Sequence, residues 1–73
     1  MSPAIWVFRT NIQQQKDVEA IRKVLDTNPD VLKWNVDRDD IDCVLRIETF
    51  TLQPANIIQL VNGAGYVCEE LED

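Results

Sequence analysis

The sequence has no histidine and only two cysteines and two glycines among its 73 residues. Without histidine, acid–base catalysis near neutral pH would need a carboxylate or a lysine with a strongly shifted pKa. The chain also has no recognisable pairing of a nucleophile with a base, and no glycine-rich phosphate loop. Two cysteines cannot build a disulfide framework, and in a reducing compartment they stay thiols. We therefore predict a protein that is not an enzyme and has no cofactor.

Long apolar runs and basic clusters are missing as well. No apolar segment approaches the roughly 18 residues that cross a bilayer, and the first residues lack the basic region of a signal peptide. Seven basic residues against 13 acidic ones give a net charge of −6, which argues against binding to nucleic acid or an anionic membrane. We expect a cytoplasmic protein with no nucleic-acid or membrane partner.

The chain does have enough apolar residues, 45% of the total, for one domain spanning residues 1–73. Strand patterns cover residues 4–9, 32–36 and 43–48, and a short last strand is expected over 66–71. Helical spacing covers residues 15–26 and a second segment that begins at Pro54. We expect Gly63 to end this second helix in the left-handed conformation.

The order β-α-β-β-α-β favours one topology, an α+β ferredoxin-like sandwich. Two right-handed crossovers and one hairpin give a four-stranded antiparallel sheet in the order 4-1-3-2, with both helices on one face. In this arrangement the first loop, the hairpin at residues 37–40 and the loop after the second helix lie at the same end. Any site built from these loops is therefore expected there.

Three segments resemble the heavy-metal-associated (HMA) domain, the fold of copper chaperones and of amino-terminal modules in copper-transporting ATPases. They are FRTNI at 8–12, VLKWNVD at 31–37 and AGY at 64–66, and the resemblance extends from about Ile5 to Leu71. The family binds Cu(I) or a similar ion through a Cys-x-x-Cys pair in the first loop, which the resemblance places at Gln14 and Asp17. Because soft metals select thiolate ligands, we expect a degenerate member that has lost this metal site.

The two remaining cysteines are Cys43, expected early in the third strand, and Cys68, expected early in the fourth. Both are expected to face the core on either side of the first strand. Two strand spacings put their Cα atoms roughly 9–10 Å apart, beyond the roughly 7 Å limit for a disulfide. We interpret them as small buried hydrophobic side chains. The alternative is a metal-handling, copper-chaperone-like protein that uses Cys43 and Cys68 as ligands.

Two surfaces are candidate sites for a protein partner. The first loop and the acidic hairpin beside it could contact a basic partner, although the helix dipole and ordinary solvation also explain these residues. The sheet face that the helices leave uncovered is expected to expose an aliphatic patch that also includes Val67, and this patch could support a partner or a homodimer. The candidate residues are Gln13, Gln14, Gln15, Asp17, Asp39 and Asp40 for the first surface, and Ile5, Val7 and Val44 for the second. The sequence thus predicts a non-enzymatic interaction module.

Overall fold

Six regular elements follow one another in a computed structural model that describes residues 1–71. They are β1 (Ala4–Thr10), α1 (Gln15–Leu25), β2 (Lys33–Asp37), β3 (Val44–Thr49), α2 (Pro54–Gly63) and β4 (Cys68–Glu70). Within residues 1–71, neither helix is long and apolar enough to cross a membrane. The predicted order of elements is confirmed.

The four strands form one sheet in the order β2-β3-β1-β4, with every neighbouring pair antiparallel. Read from the other edge, this is the order 4-1-3-2, so the predicted ferredoxin-like topology is confirmed. Strand β1 lies in the interior of the sheet and pairs with β3 on one side and β4 on the other. Its carboxyl end leads into the first loop, which therefore begins between the two neighbouring strands.

The core lies between the helices and one face of the sheet. Alternation along the strands turns every second side chain to this face, and helical spacing supplies the opposing layer. The central members are fully or almost fully buried, namely Phe8, Leu45 and Ile47 from the sheet and Ile21, Leu25, Ile57 and Val61 from the helices. Trp6 also packs against this cluster, and its indole nitrogen donates a hydrogen bond to the Leu52 carbonyl at 3.0 Å.

The glycine that ends α2 is Gly65, so the prediction for Gly63 is wrong. Gly63 is the last helical residue, whereas Gly65 has φ of +97°. The Gly65 N–H donates to the Asn62 carbonyl and the Tyr66 N–H to the Val61 carbonyl, which is the hydrogen-bond pattern of a Schellman motif. This motif fixes where the loop toward β4 begins.

Several residues expected in strands lie just outside them, including Tyr66, Val67 and Leu71, which flank β4. Cys43 precedes β3 with φ of +45°, a left-handed conformation that is uncommon for a residue with a side chain. Its N–H donates to the Asp40 carbonyl, so Cys43 still belongs to the hairpin turn. Leu32 precedes β2 and is 53% exposed, although its N–H donates to the Glu48 carbonyl of β3 at 2.9 Å.

Candidate functional site

The three loops predicted to share one end of the molecule are joined there by hydrogen bonds. The Thr10 N–H donates to the Asp42 carbonyl at 3.0 Å, which ties the end of β1 to the hairpin. On the other side, the Val67 N–H donates to Oδ1 of Asn11 at 2.8 Å. The first loop is therefore fixed between the β2–β3 turn and the segment that leads into β4. We call this the loop end, comprising residues 10–17, 37–43 and 64–67.

Asp17 is the most connected polar side chain of the loop end. Its Oδ2 accepts the N–H groups of Gln13 at 3.2 Å and Gln14 at 3.0 Å, and its Oδ1 accepts the Tyr66 hydroxyl at 2.9 Å. The Gln14 hydrogen bond, aided by Tyr66, lowers the pKa of Asp17. The same contact with Asp17 raises the pKa of Tyr66. The pair thus stays as a carboxylate and a neutral phenol across the physiological range.

Gln14 and Asp17 occupy the first and last positions of a Q-x-x-D sequence at the start of α1. Gln14 is the exposed N-cap residue of the helix, in an extended conformation, and Asp17 lies in the first turn. A carboxylate that reaches back to the N-cap amide satisfies a donor that the helix leaves unpaired. The two positions that the resemblance assigns to thiolates therefore provide oxygen and amide nitrogen, and the carboxylate already accepts three hydrogen bonds.

A second set of contacts, centred on Thr10, stabilises the buried side of the loop end. The buried Thr10 hydroxyl donates to the Cys43 carbonyl at 2.6 Å and accepts the Ile12 N–H at 3.1 Å. Ile12 itself is fully buried in the core. The sequence analysis missed the roles of Thr10 and Tyr66, because both depend on partners that are 33 and 49 residues away in the chain.

Both cysteines are buried, each with 6% of its surface exposed, and neither forms a disulfide. Cys68 is the direct cross-strand neighbour of Thr10, whose hydroxyl contacts the main chain of Cys43 on the other side. Burial, reinforced by the charge of Glu69, raises the pKa of Cys68 to about 12. Because the thiolate is the metal ligand, this environment opposes metal binding by Cys68. Within residues 1–71, no three or more cysteine, aspartate or glutamate side chains come together as a possible metal site.

The acidic hairpin is shaped by its own carboxylates. Oδ1 of Asp37 accepts the Asp39 N–H at 3.1 Å, and Oδ1 of Asp40 accepts the Asp42 N–H at 2.9 Å. Such bonds are typical of turns, so Asp37 and Asp40 have a structural role. Between Asp40 and Asp42, Ile41 is 95% exposed, a projecting apolar side chain that was not predicted from the sequence.

The three glutamines differ in what they contact. Gln13 and Gln14 are exposed and offer their main-chain amides to Asp17. Gln15, the first residue of α1, accepts a hydrogen bond from Arg38 of the hairpin at 3.2 Å. The structure thus brings the glutamines, Asp17 and the acidic hairpin to one end, as their placement in the topology predicted.

The aliphatic patch on the uncovered sheet face is smaller than expected. Ile5 and Val67 are 58% and 53% exposed, and Val7 is half-buried. The expected exposure of Val44 is wrong, since only 5% of it is accessible. Val44 pairs with Asp37 on β2, and Asp42, two residues earlier, forms an ion pair with Arg9 of β1 at 3.5 Å. Val44 therefore has polar neighbours along the sheet, where an open aliphatic patch was expected.

Known structures with a similar fold come from copper-handling proteins. The Cu(I)-loaded first domain of the human copper chaperone for SOD1 aligns with a TM-score of 0.80 and 23% identity, over 96% of this chain and 94% of that one. The apo HMA domain of a copper chaperone for superoxide dismutase aligns with a TM-score of 0.79 and 20% identity, over 99% of this chain and 72% of that one.

A third structure, from work on crosstalk between Cu(I) and Zn(II) homeostasis, aligns with a TM-score of 0.73 and 16% identity, over 93% of this chain and 98% of the other. No protein-family model matches the chain, and no curated protein matches it. The resemblance to HMA domains of copper chaperones is therefore confirmed at the level of the fold.

Proposed function

We propose that this chain is a non-enzymatic interaction module with the HMA fold, whose first loop does not bind a soft metal. The observation that carries the proposal is the hydrogen bonding of Asp17. Its carboxylate binds the amides of Gln13 and Gln14 and the hydroxyl of Tyr66, at the position where the resemblance expects a thiolate. The loop is held by these bonds without an ion.

The chemistry of the available donors supports the loss of Cu(I) binding. Cu(I) selects thiolate and thioether sulfur, whereas Gln14 and Asp17 offer amide and carboxylate groups. A metal that took the Asp17 carboxylate would also have to compete with the three hydrogen bonds that it accepts. The buried thiol of Cys68, with its raised pKa, is a poor substitute ligand.

The directions of the pKa shifts support a non-enzymatic role. A general acid or base works best when its pKa lies near the operating pH. The pKa of Asp17 moves down, and those of Tyr66 and Cys68 move up, so all three move away from neutrality. The chain contains no histidine that could take their place.

The loop end is the surface that we assign to a partner. Gln13 and Gln14 are exposed, and beside them the hairpin presents the exposed carboxylates of Asp39 and Asp40 around the projecting Ile41. An apolar side chain within an acidic rim fits a basic protein surface that has a small apolar recess. The patch of Ile5, Val7 and Val67 is a second, smaller candidate surface. We place the protein in the cytoplasm, where its two free thiols would remain reduced.

Competition for Cu(I) against bathocuproine disulfonate, and for Zn(II) against a chromophoric chelator, tests the proposal. We expect the native protein to leave both ions with the chelator. The double variant Gln14→Cys/Asp17→Cys should take up one equivalent of Cu(I), and the matched Gln14→Ser/Asp17→Ser variant should take up none. Uptake of one equivalent by the native protein would refute the proposal. Loss of that uptake in Cys43→Ser or Cys68→Ser would then establish the alternative, in which these cysteines are the ligands.

A further inference from the structure

The outer strand β2 has hydrogen-bonding groups available on one side. The sheet order β2-β3-β1-β4 places β2 at an edge, with β3 as its only neighbour among the described residues. In an antiparallel sheet, alternate residues of an edge strand direct their N–H and C=O groups away from the neighbouring strand. Over Lys33–Asp37 these groups form a template for one further strand.

The sequence of this strand, KWNVD, is complementary to itself in the antiparallel direction. When two copies are paired with Asn35 opposite Asn35, each Lys33 faces an Asp37 of the second copy. In the same register each Trp34 faces a Val36 of the second copy. Opposite charges and aromatic–β-branched pairs are both favourable cross-strand neighbours. We propose that two copies of this chain associate through β2 in this register, joining two four-stranded sheets into one continuous sheet.

The helix-side face of β2 supports this pairing. Trp34 and Val36 pair with Ile47 and Leu45, which are fully buried, yet both remain half-buried themselves. They line a groove of about 460 Å³ between α1 and the edge of the sheet. At the end of α1, Asp26 accepts the Trp34 indole N–H at 2.7 Å and Arg22 lies 5.7 Å from the centroid of the ring, so the helix covers Trp34 only in part. A second copy would bring its own Trp34 and Val36 to the open side and remove apolar surface of both copies from water.

The opposite face of β2 supplies the charges. The exposed Lys33 and the half-buried Asp37 turn to the uncovered side of the sheet, and Asn35 lies between them. Within residues 1–71, Arg9 and Arg22 are the only basic residues that form ion pairs, so Lys33 has no carboxylate partner there. In the two-fold arrangement, the Lys33 of each copy gains a carboxylate partner, the Asp37 of the other copy, and these two pairs lie at the two ends of the paired strands.

The strand at the other edge of the sheet, β4, does not have a self-complementary sequence. Strand β4 is only three residues long, and antiparallel pairing of two copies about Glu69 would place like charges directly opposite each other. Association through β2 alone uses the same surface on both copies and closes at a dimer. This inference goes beyond the proposed function and does not depend on whether the first loop binds metal.

Sedimentation equilibrium of the native protein and its charge variants tests the dimer. The native protein should associate to a dimer as concentration rises, and Lys33→Asp should raise its dissociation constant about tenfold or more, because two attractive pairs become repulsive. Asp37→Lys should do the same. An equimolar mixture of the two variants should form a heterodimer, since every opposed pair is then again of opposite sign. The double variant Lys33→Asp/Asp37→Lys restores opposite charges in every pair and should dimerise more tightly than either single variant.

A matched control on the uncovered sheet face separates this interface from the aliphatic patch. Ile5 is 58% exposed on the uncovered sheet face, two strands away from the β2 edge, and Ile5→Lys should leave the dimer intact. The proposal is overturned if the native protein stays monomeric throughout. Dimerisation of Lys33→Asp with unchanged affinity, failure of the two single variants to associate when mixed, or loss of the dimer in Ile5→Lys would each overturn it too. Circular dichroism of each variant verifies that it is folded.

Discussion

Replacing Thr10 with valine tests whether the loop end is held by its own hydrogen bonds. Valine keeps the shape of the side chain but removes the hydroxyl, which is buried and has two partners. The substitution leaves the Cys43 carbonyl and the Ile12 N–H without their bonds in a place that water does not reach. Each unsatisfied buried group costs about 1–3 kcal/mol, so for the two groups we expect a loss of about 2–6 kcal/mol.

That loss is large for a chain of this size. At about 0.05–0.15 kcal/mol per residue, a chain of 73 residues has a free energy of unfolding of roughly 4–11 kcal/mol. Urea denaturation, followed by the fluorescence of Trp6 and Trp34, measures the difference as a shift of the midpoint. The matched control is Thr51→Val at an exposed position, which we expect to change stability by less than about 0.5 kcal/mol. A Thr10→Val variant as stable as this control would refute the argument.

Three further predictions concern pH, thiol reactivity and the end of α2. The lowered pKa of Asp17 means that its ionised form stabilises the fold above the unfolded pKa and that this contribution disappears as the pH falls through the folded value. Melting temperatures of Asp17→Asn should therefore lie below those of the native protein at neutral pH and approach them in acid; parallel curves would contradict this. Cys68, with its pKa of about 12, should react with iodoacetamide at pH 8 far more slowly in the folded protein than in urea, and equal rates would contradict its burial. Gly65→Ala should lose about 1–2 kcal/mol because its φ is +97°, whereas Gly63→Ala, at a helical position with open space, should gain up to about 1 kcal/mol; equal effects in urea denaturation would refute the assignment of the helix end.

The topology was predictable because few arrangements satisfy the pattern of elements. Period-two and helical spacing identify the six elements, and short connections with right-handed crossovers leave one natural sheet order. The same reasoning placed Gln14 and Asp17 at the loop end. What it could not supply was the partner of Asp17, because the Tyr66 hydroxyl comes from 49 residues away and depends on side-chain geometry.

The errors have local physical causes. The period-two alternation of side chains along the strand correctly predicts that Val44 lies on the side of the sheet away from the core. It carries no information on whether neighbouring polar side chains cover that face. The choice between Gly63 and Gly65 depends on where the last helical hydrogen bonds close, and the two glycines are only two residues apart. Cys43 is buried although it lies in the turn, where its φ is +45°.

Under the proposed function, the bond between Asp17 and Tyr66 gives the first loop a shape that does not depend on copper supply. In a loop that closes around an ion, the empty and loaded forms can differ, and a partner can distinguish them. In this chain a hydrogen bond between a carboxylate and a phenol joins the first loop to the segment before β4. If the loop binds no metal, as we propose, a protein that docks at this end meets the same surface in copper-starved and copper-replete cells.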